Sequence, residues 1–215
     1  MEMGQMIQMI FSAIPDGTTR VSLLGRHSLS VQDGPNDTRA LSPKGIELCH
    51  EVRGFYAHLV LNLELIGNAS YYYSQMARSL ITIREILLPR NFILDERLNL
   101  LASLKKIQGG AWFKAQKDTG HSDVEIIRAF LTDSSIGAGQ PFKQNAANYL
   151  AWATEPYGHR LRVAFAHEVA CSLAAHPYLD SDVEPGLSEC QAYLFCVDDS
   201  GNVLRVIKVT PPATL

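Results

Sequence analysis

The chain is predicted to fold as an α/β protein: a mostly parallel central sheet, helices on both of its faces, and an antiparallel strand at the C-terminal end. Three observations predict this. Two strongly apolar segments, Thr19–Gly25 and Leu161–Ala166, have the composition of strands buried on both faces. Segments with helical spacing of apolar residues alternate with strand-like ones along the chain. The chain closes with Gln191–Val197 and Val203–Val209, two strands joined by Asp198-Asp199-Ser200-Gly201-Asn202, a hairpin-loop composition.

Taken in order, residues 1–14 (MEMGQMIQMIFSAI) fit either a Met-rich amphipathic helix or an added strand, within an N-terminal extension over residues 1–18. Pro15-Asp16-Gly17 is a turn signal before the first strand. Ser28–Ala40, carrying Asp33, Gly34, Pro35, Asn36 and Asp37, reads as a loop. Ser42 as N-cap and Pro43 at the first helical position open a helix. Its apolar face includes Ile46, Cys49, Val52, Tyr56 and Leu59, and its end is expected near His58. The tyrosine-rich Ala69–Ser74 is a short strand. Met76–Leu87 is a helix with Met76, Leu80, Ile83 and Ile86 on one face, stopped by Pro89. Phe92–Leu104 fits helix or strand, and Gly109-Gly110 marks a loop. Asp123–Leu131 and Gln144–Thr154 read as helices on either side of the Ser134–Pro141 stretch, and Val169–Ala175 as a short one.

With 47% hydrophobic and 19% charged residues, the chain can bury a substantial core, and residues 1–215 are expected to form a single domain. A net charge of −3 excludes the broad basic field that a nucleic-acid binder needs. No apolar run approaches the roughly 18 residues of a membrane span. The four cysteines show no CxxC spacing and read as reduced core residues. No basic residue precedes Arg20, against the charged start of a secretory signal, so a cytoplasmic protein is expected. The Asn-x-Ser/Thr triplets at Asn36 and Asn68 are then chance matches. No His/Cys cluster has metal-ligand spacing, so no metal or other cofactor is expected. Nothing in the sequence sets an oligomeric state.

Both strongly apolar strands end in a histidine: Arg26-His27 follows the first and His167 the second. In open α/β sheets ligands bind beyond the carboxyl ends of the strands, where both would fall. One histidine after a strand is more often a structural residue than a catalyst. A further element is Ser74-Gln75-Met76-Ala77-Arg78, a strand end followed by a helix whose first turn carries an arginine able to reach back over the sheet. The guanidinium fork suits a phosphoryl group.

In combination these segments resemble the histidine phosphatase superfamily, which includes the phosphoglycerate mutases. Its Arg-His-Gly strand end is matched by Arg26-His27-Ser28, and its Ser-x-x-x-Arg-Ala-x-x-Thr pattern by Ser74 through Thr82. Its late His-Gly is matched by His167-Glu168, and its Pro-Leu-Thr-x-x-Gly helix start by Ala40-Leu41-Ser42-Pro43-Lys44-Gly45. The motifs occur in the family's order over about residues 19–209. The resemblance implies a phosphoglycerate mutase-like fold and a two-step phosphoryl transfer. His27 would be the nucleophile, passing through a phosphohistidine, and Arg26, Arg78 and His167 would hold the phosphoryl oxygens. An imidazole with an ordinary pKa of about 6.5 can supply a free ring nitrogen near neutrality.

Two positions depart from the pattern. Ser28 replaces the glycine after the histidine, and its hydroxyl could itself donate to phosphate. In the mutase-like branch the proton donor is the glutamate of an Arg-Leu-x-Glu segment, and here Arg97-Leu98-Asn99-Leu100 puts leucine there. The favoured replacement is Glu168, because the acid-phosphatase branch carries its acid directly after the second histidine; Glu96 is the second candidate. As a helix N-terminal carboxylate, Glu168 is equally explained by the helix dipole. The expectation is a phosphatase acting on a small phosphorylated substrate. The alternative is a phosphate-ligand-binding or regulatory protein that kept the pocket and lost the acid. A mutase is disfavoured, since no basic cluster beyond Lys105-Lys106 is present to hold a doubly phosphorylated intermediate.

Overall fold

A computed structural model describes residues 2–31, 38–88, 91–108, 110–132, 139–156 and 159–212. The loop expected at Asp33–Asp37, the helix stop at Pro89, Gly109 and residues 134–138 lie outside the described residues.

The N-terminal segment is a helix, α1 (Met3–Ser12), whose Ile7 and Ile10 are buried. Gly17 adopts φ +85° in the turn that follows. Strand β1 (Arg20–Arg26) leads through the His27 loop to α2 (Pro43–Leu63). The N-cap works as the sequence indicates, Ser42 Oγ accepting from the Gly45 N–H at 3.1 Å. The helix runs beyond the expected end at His58, because Leu59, Val60 and Leu63 continue its buried face. Next come β2 (Ala69–Tyr73) and α3 (Ala77–Leu87), with Met76 as N-cap.

The ambiguous region resolves into β3 (Phe92–Leu94), a 3₁₀ turn (Glu96–Leu98) and α4 (Ala102–Gln108). Helix α5 (Ala111–Asp118) follows and was not expected from the sequence. Then come α6 (Asp123–Thr132) and α7 (Gly139–Thr154). Pro141 sits in the first turn of α7, where its missing N–H has no partner to lose, so the helix starts ahead of the expected Gln144. The chain continues with β4 (Leu161–Ala166), α8 (Glu168–Ala175), β5 (Ala192–Val197) and β6 (Val203–Val209).

The six strands form one sheet in the order β3-β2-β4-β1-β5-β6. The β2–β3, β2–β4 and β1–β4 pairs are parallel, and β5 and β6 add an antiparallel pair at one end. Alternation along the strands divides the core. Val21, Leu23, Val163, Phe165 and Tyr71 pack with α2 and α3 on one face. Leu24, Ala164, Ala166 and Tyr72 pack with Trp152 of α7 and Cys171 of α8 on the other. The consecutive tyrosines are thus strand residues facing opposite cores. A third cluster, including Leu100, Leu104, Phe113, Ile127 and Val169, gathers the helices between β3 and β4 against the start of α8. All four cysteines are buried and unpaired by disulfides. Among the described residues no helix is long and apolar enough to cross a membrane.

Register places the site. Arg26 pairs with Ala166, so β1 and β4 end level and release His27 and His167 side by side at their carboxyl ends.

Candidate active site

The loop that carries His27 is tied down from three directions. The His27 N–H donates to the Ala166 carbonyl at 3.0 Å. The Ser28 N–H donates to Thr82 Oγ1 of α3 at 3.0 Å, and the Ser28 hydroxyl donates to the Gly45 carbonyl of α2 at 2.7 Å. The start of α2 closes on this loop so tightly that a Cβ at Gly45 would lie 2.1 Å from the Leu29 oxygen, so only glycine fits.

These bonds bear on one expectation. Ser28 is fully buried and both of its donors are engaged, so its hydroxyl ties the His27 loop to α2. The phosphate contact expected of Ser28 would require its hydroxyl to leave the Gly45 carbonyl.

The His27 ring is fixed in one tautomer. Nδ1 lies 2.6 Å from the Ser28 carbonyl, which can only accept, so Nδ1 carries the proton. Nε2 accepts from the Arg78 Nε–H at 2.9 Å and is unprotonated. Burial and the Arg78 charge hold the His27 imidazole down at about 3, with Arg26 and Arg39 adding to the effect and the Ser28 carbonyl opposing it. Arg78 is itself buried in the first turn of α3, and its Nη2 donates to Met76 Sδ at 2.7 Å.

His167 is buried and shares a 3.1 Å hydrogen bond with the Ser74 hydroxyl through Nε2. Its ring meets that of His27 edge to face at 5.6 Å. Burial holds the His167 imidazole well below its ordinary range, and His27, Arg78 and Lys105 act in the same direction.

Glu168 is the first residue of α8 and also borders the cavity, so its position suits both a helix-start carboxylate and a group that faces the site. Burial pushes its carboxyl up against the opposing charge of Arg26, whose Nη1 lies 3.0 Å from Oε2. Arg26 lines the cavity, but its terminal nitrogens are engaged: Nη1 by Glu168 and the Leu187 carbonyl (2.7 Å), Nη2 by Glu189 at 2.9 Å. It is a brace for carboxylates here, and the direct phosphate contact expected of it is not one that this arrangement makes.

Between these groups lies a cavity of about 150 Å³, bordered by His27, Arg78, His167 and Glu168 and walled by Leu100 and Val169. Leu100 thus occupies the place expected of an acid and supplies an apolar surface. Glu96, the second candidate acid, is exposed on the 3₁₀ turn and does not border the cavity. Two residues escaped sequence reasoning. Asp123 borders the cavity from the start of α6, paired with Lys117 at 2.7 Å; its sequence signal was only that of a helix start. Glu189 lies in an irregular segment with no periodicity to mark it. His50, His58, His121, His159 and His176 are all exposed. Among the described residues no group of three or more His, Cys, Asp or Glu side chains is set to hold a metal ion.

No family sequence profile matches this chain, and no curated protein matches it in sequence. Solved structures do match in fold. An alpha-ribazole phosphatase from Shigella flexneri superposes with a TM-score of 0.52 at 13% identity, over 91% of this chain and 98% of that one. A phosphoserine phosphatase from Entamoeba histolytica, in complex with 3-phosphoglyceric acid, gives 0.51 at 16% identity, over 91% and 99%. The protein histidine phosphatase SixA, complexed with tungstate, gives 0.50 at 14% identity, over 89% and 97%. These neighbours belong to the histidine phosphatase superfamily, and this chain has their phosphoglycerate mutase-like fold.

Proposed function

We propose that this chain, built on the histidine-phosphatase fold, is a phosphatase that hydrolyses a small phosphorylated substrate through a phosphohistidine on His27. The observation that carries the reading is the state of the His27 ring. With Nδ1–H on the Ser28 carbonyl, Nε2 is unprotonated at every pH near neutral, and its lone pair, which accepts the Arg78 Nε–H, is freed for phosphorus when Arg78 exchanges that contact for a phosphoryl oxygen.

In the first step the Nε2 electron pair bonds to phosphorus as the ester O–P bond breaks, and the leaving oxygen takes a proton from the Glu168 carboxyl. In the second, water attacks phosphorus, the N–P bond breaks, and the water proton passes to the Glu168 carboxylate. Phosphate leaves and His27 is restored. The Arg78 guanidinium opposes the charge on the phosphoryl oxygens, the neutral His167 ring can offer them only a ring N–H, and Arg26 contributes its charge from behind Glu168. The small cavity favours a compact phosphoryl group at its floor, and the four buried thiols suit a reducing, cytoplasmic setting.

One observation favours a second reading: Leu100 stands in the cavity where the family resemblance implies an acid, as expected of a phosphate-binding protein without turnover. Hydrolysis of an activated aryl phosphate and of an alkyl phosphate separates the two. His27→Ala abolishes both activities. Glu168→Gln lowers alkyl phosphate hydrolysis about 10²–10⁴-fold and aryl phosphate hydrolysis far less, because an aryl oxygen leaves without a proton. Wild-type protein that binds vanadate but hydrolyses neither ester would establish the binding reading for those substrates.

A further inference from the structure

We infer that Glu189 is a positioning residue: it shares the Arg26 guanidinium with Glu168, and so keeps Glu168 both aimed at the cavity and available as a proton donor. The inference rests on the phosphatase reading for its catalytic meaning, while the coupling itself stands on geometry alone.

Arg26 is a two-sided clamp. Nη1 reaches Glu168 at 3.0 Å and Nη2 reaches Glu189 at 2.9 Å, and all three side chains are largely shielded from water. The backbone that carries Glu189 is set by a turn. The Gln191 N–H donates to the Ser188 carbonyl at 3.1 Å, and the Ser188 N–H returns to Gln191 Oε1 at 2.9 Å. The Gln191 carbonyl then accepts the Arg26 N–H at 2.8 Å, locking the turn to the end of β1. These bonds fix the backbone on either side of Glu189 and place its side chain within reach of the guanidinium.

Burial is the largest influence on Glu168 and raises it, and among the surrounding charges Arg26 is the strongest that opposes this. From α5 and α6, Lys117 and Asp123 are paired with each other at 2.7 Å and largely cancel. Cys171 on its own helix and Tyr193 on β5 are both held neutral by burial. His27 and His167 are neutral across the cavity, where Arg78 is turned to His27 Nε2. The Leu187 N–H and Arg26 both favour the ionised carboxylate. Were Arg26 matched to Glu168 alone, its whole charge would favour the carboxylate against the effect of burial. A second carboxylate on the same guanidinium offsets that charge while leaving the hydrogen bond that aims Glu168 intact.

The test uses Glu189→Gln in the full-length protein, which keeps an acceptor for Nη2 and removes the charge. Its first readout is the ionisation of the Glu168 side-chain carboxyl, followed by ¹³C NMR, which needs no turnover. The expected result is a fall of about one pH unit relative to wild type, the size of a unit charge acting across partly solvated protein. Glu189→Asp, which keeps the charge, restores most of the wild-type value. An unchanged or raised value in Glu189→Gln overturns the inference. The second readout is the alkaline limb of kcat/KM for an alkyl phosphate, which moves down by the same amount. A limb that stays put while the NMR value falls leaves the coupling standing and removes Glu168 as the acid, so the two failures are told apart.

Discussion

Replacing His27 by glutamine should make the protein less sensitive to acid, and the size of the effect follows from the site. Burial and Arg78 hold the folded imidazole down at about 3, whereas in the unfolded chain it titrates near 6.5. Below that value the unfolded chain gains a proton that the folded one refuses, so the wild type loses stability as pH falls. The loss is absent above about pH 7, grows through the window from 6.5 to 3, and levels off below it. Each unit is worth about 1.4 kcal/mol, so at pH 4.5 the buried neutral ring costs the wild type about 2–3 kcal/mol. His27→Gln removes this cost. His167, also held low, remains and keeps some acid sensitivity in the variant. Urea unfolding of both proteins at pH 7.5, 6 and 4.5 measures the effect as a change in their stability difference, so any constant offset from the substitution cancels. The gap should shift in favour of the variant by about 2–3 kcal/mol between the extremes. Curves that run parallel would show that the ring is not held neutral, and the argument for a standing lone pair on Nε2 would fail with them.

Two further outcomes follow from neighbouring contacts. Arg78→Lys keeps a charge but loses the fork that spans His27 Nε2 and Met76 Sδ; kcat/KM for an aryl phosphate should drop about 10²–10³-fold, and a drop under about threefold would remove Arg78 from the chemistry. Gly45→Ala drives a methyl group into the Leu29 carbonyl, which is already fixed by the Ser42 N–H at 2.9 Å. It should cost about 1–3 kcal/mol in urea unfolding and lower activity through the His27 loop, and a wild-type midpoint would refute the close approach.

Legibility in the sequence tracks how strongly burial constrains each segment. β1 and β4 are covered on both faces, so every position must be apolar or internally satisfied, and their composition betrays them. That both strands end in a histidine at the carboxyl edge of the sheet could then be anticipated, whereas their pairing and level ends, which set His27 beside His167, come from the register. Between β3 and α6 the chain packs short helices into a small satellite core with one or two anchors each, such as Leu104 in α4 and Phe113 in α5. So few anchors produce no lasting period, and α5 left no trace. Arg26 was legible as a charge at a strand end, but its partners were not. Glu189 comes from an irregular segment far along the chain, and only the register of β5 against β1 brings it there.

The two departures from the family pattern, which seemed to weaken the site, acquire physical sense once placed. Among the described non-glycine residues only Leu88 and Cys190 adopt positive φ, so Ser28 sits in backbone that does not need glycine. Its hydroxyl ties the His27 loop to α2. Leu100 cannot donate a proton, but with Val169 it gives the cavity an apolar wall beside Glu168. Such a wall withholds water from a carboxyl and favours its protonated form, the condition for a general acid. A leucine at one edge of the pocket is thus compatible with the proposed role of Glu168 at another, because the apolar side chain contributes to the surroundings that such a role requires.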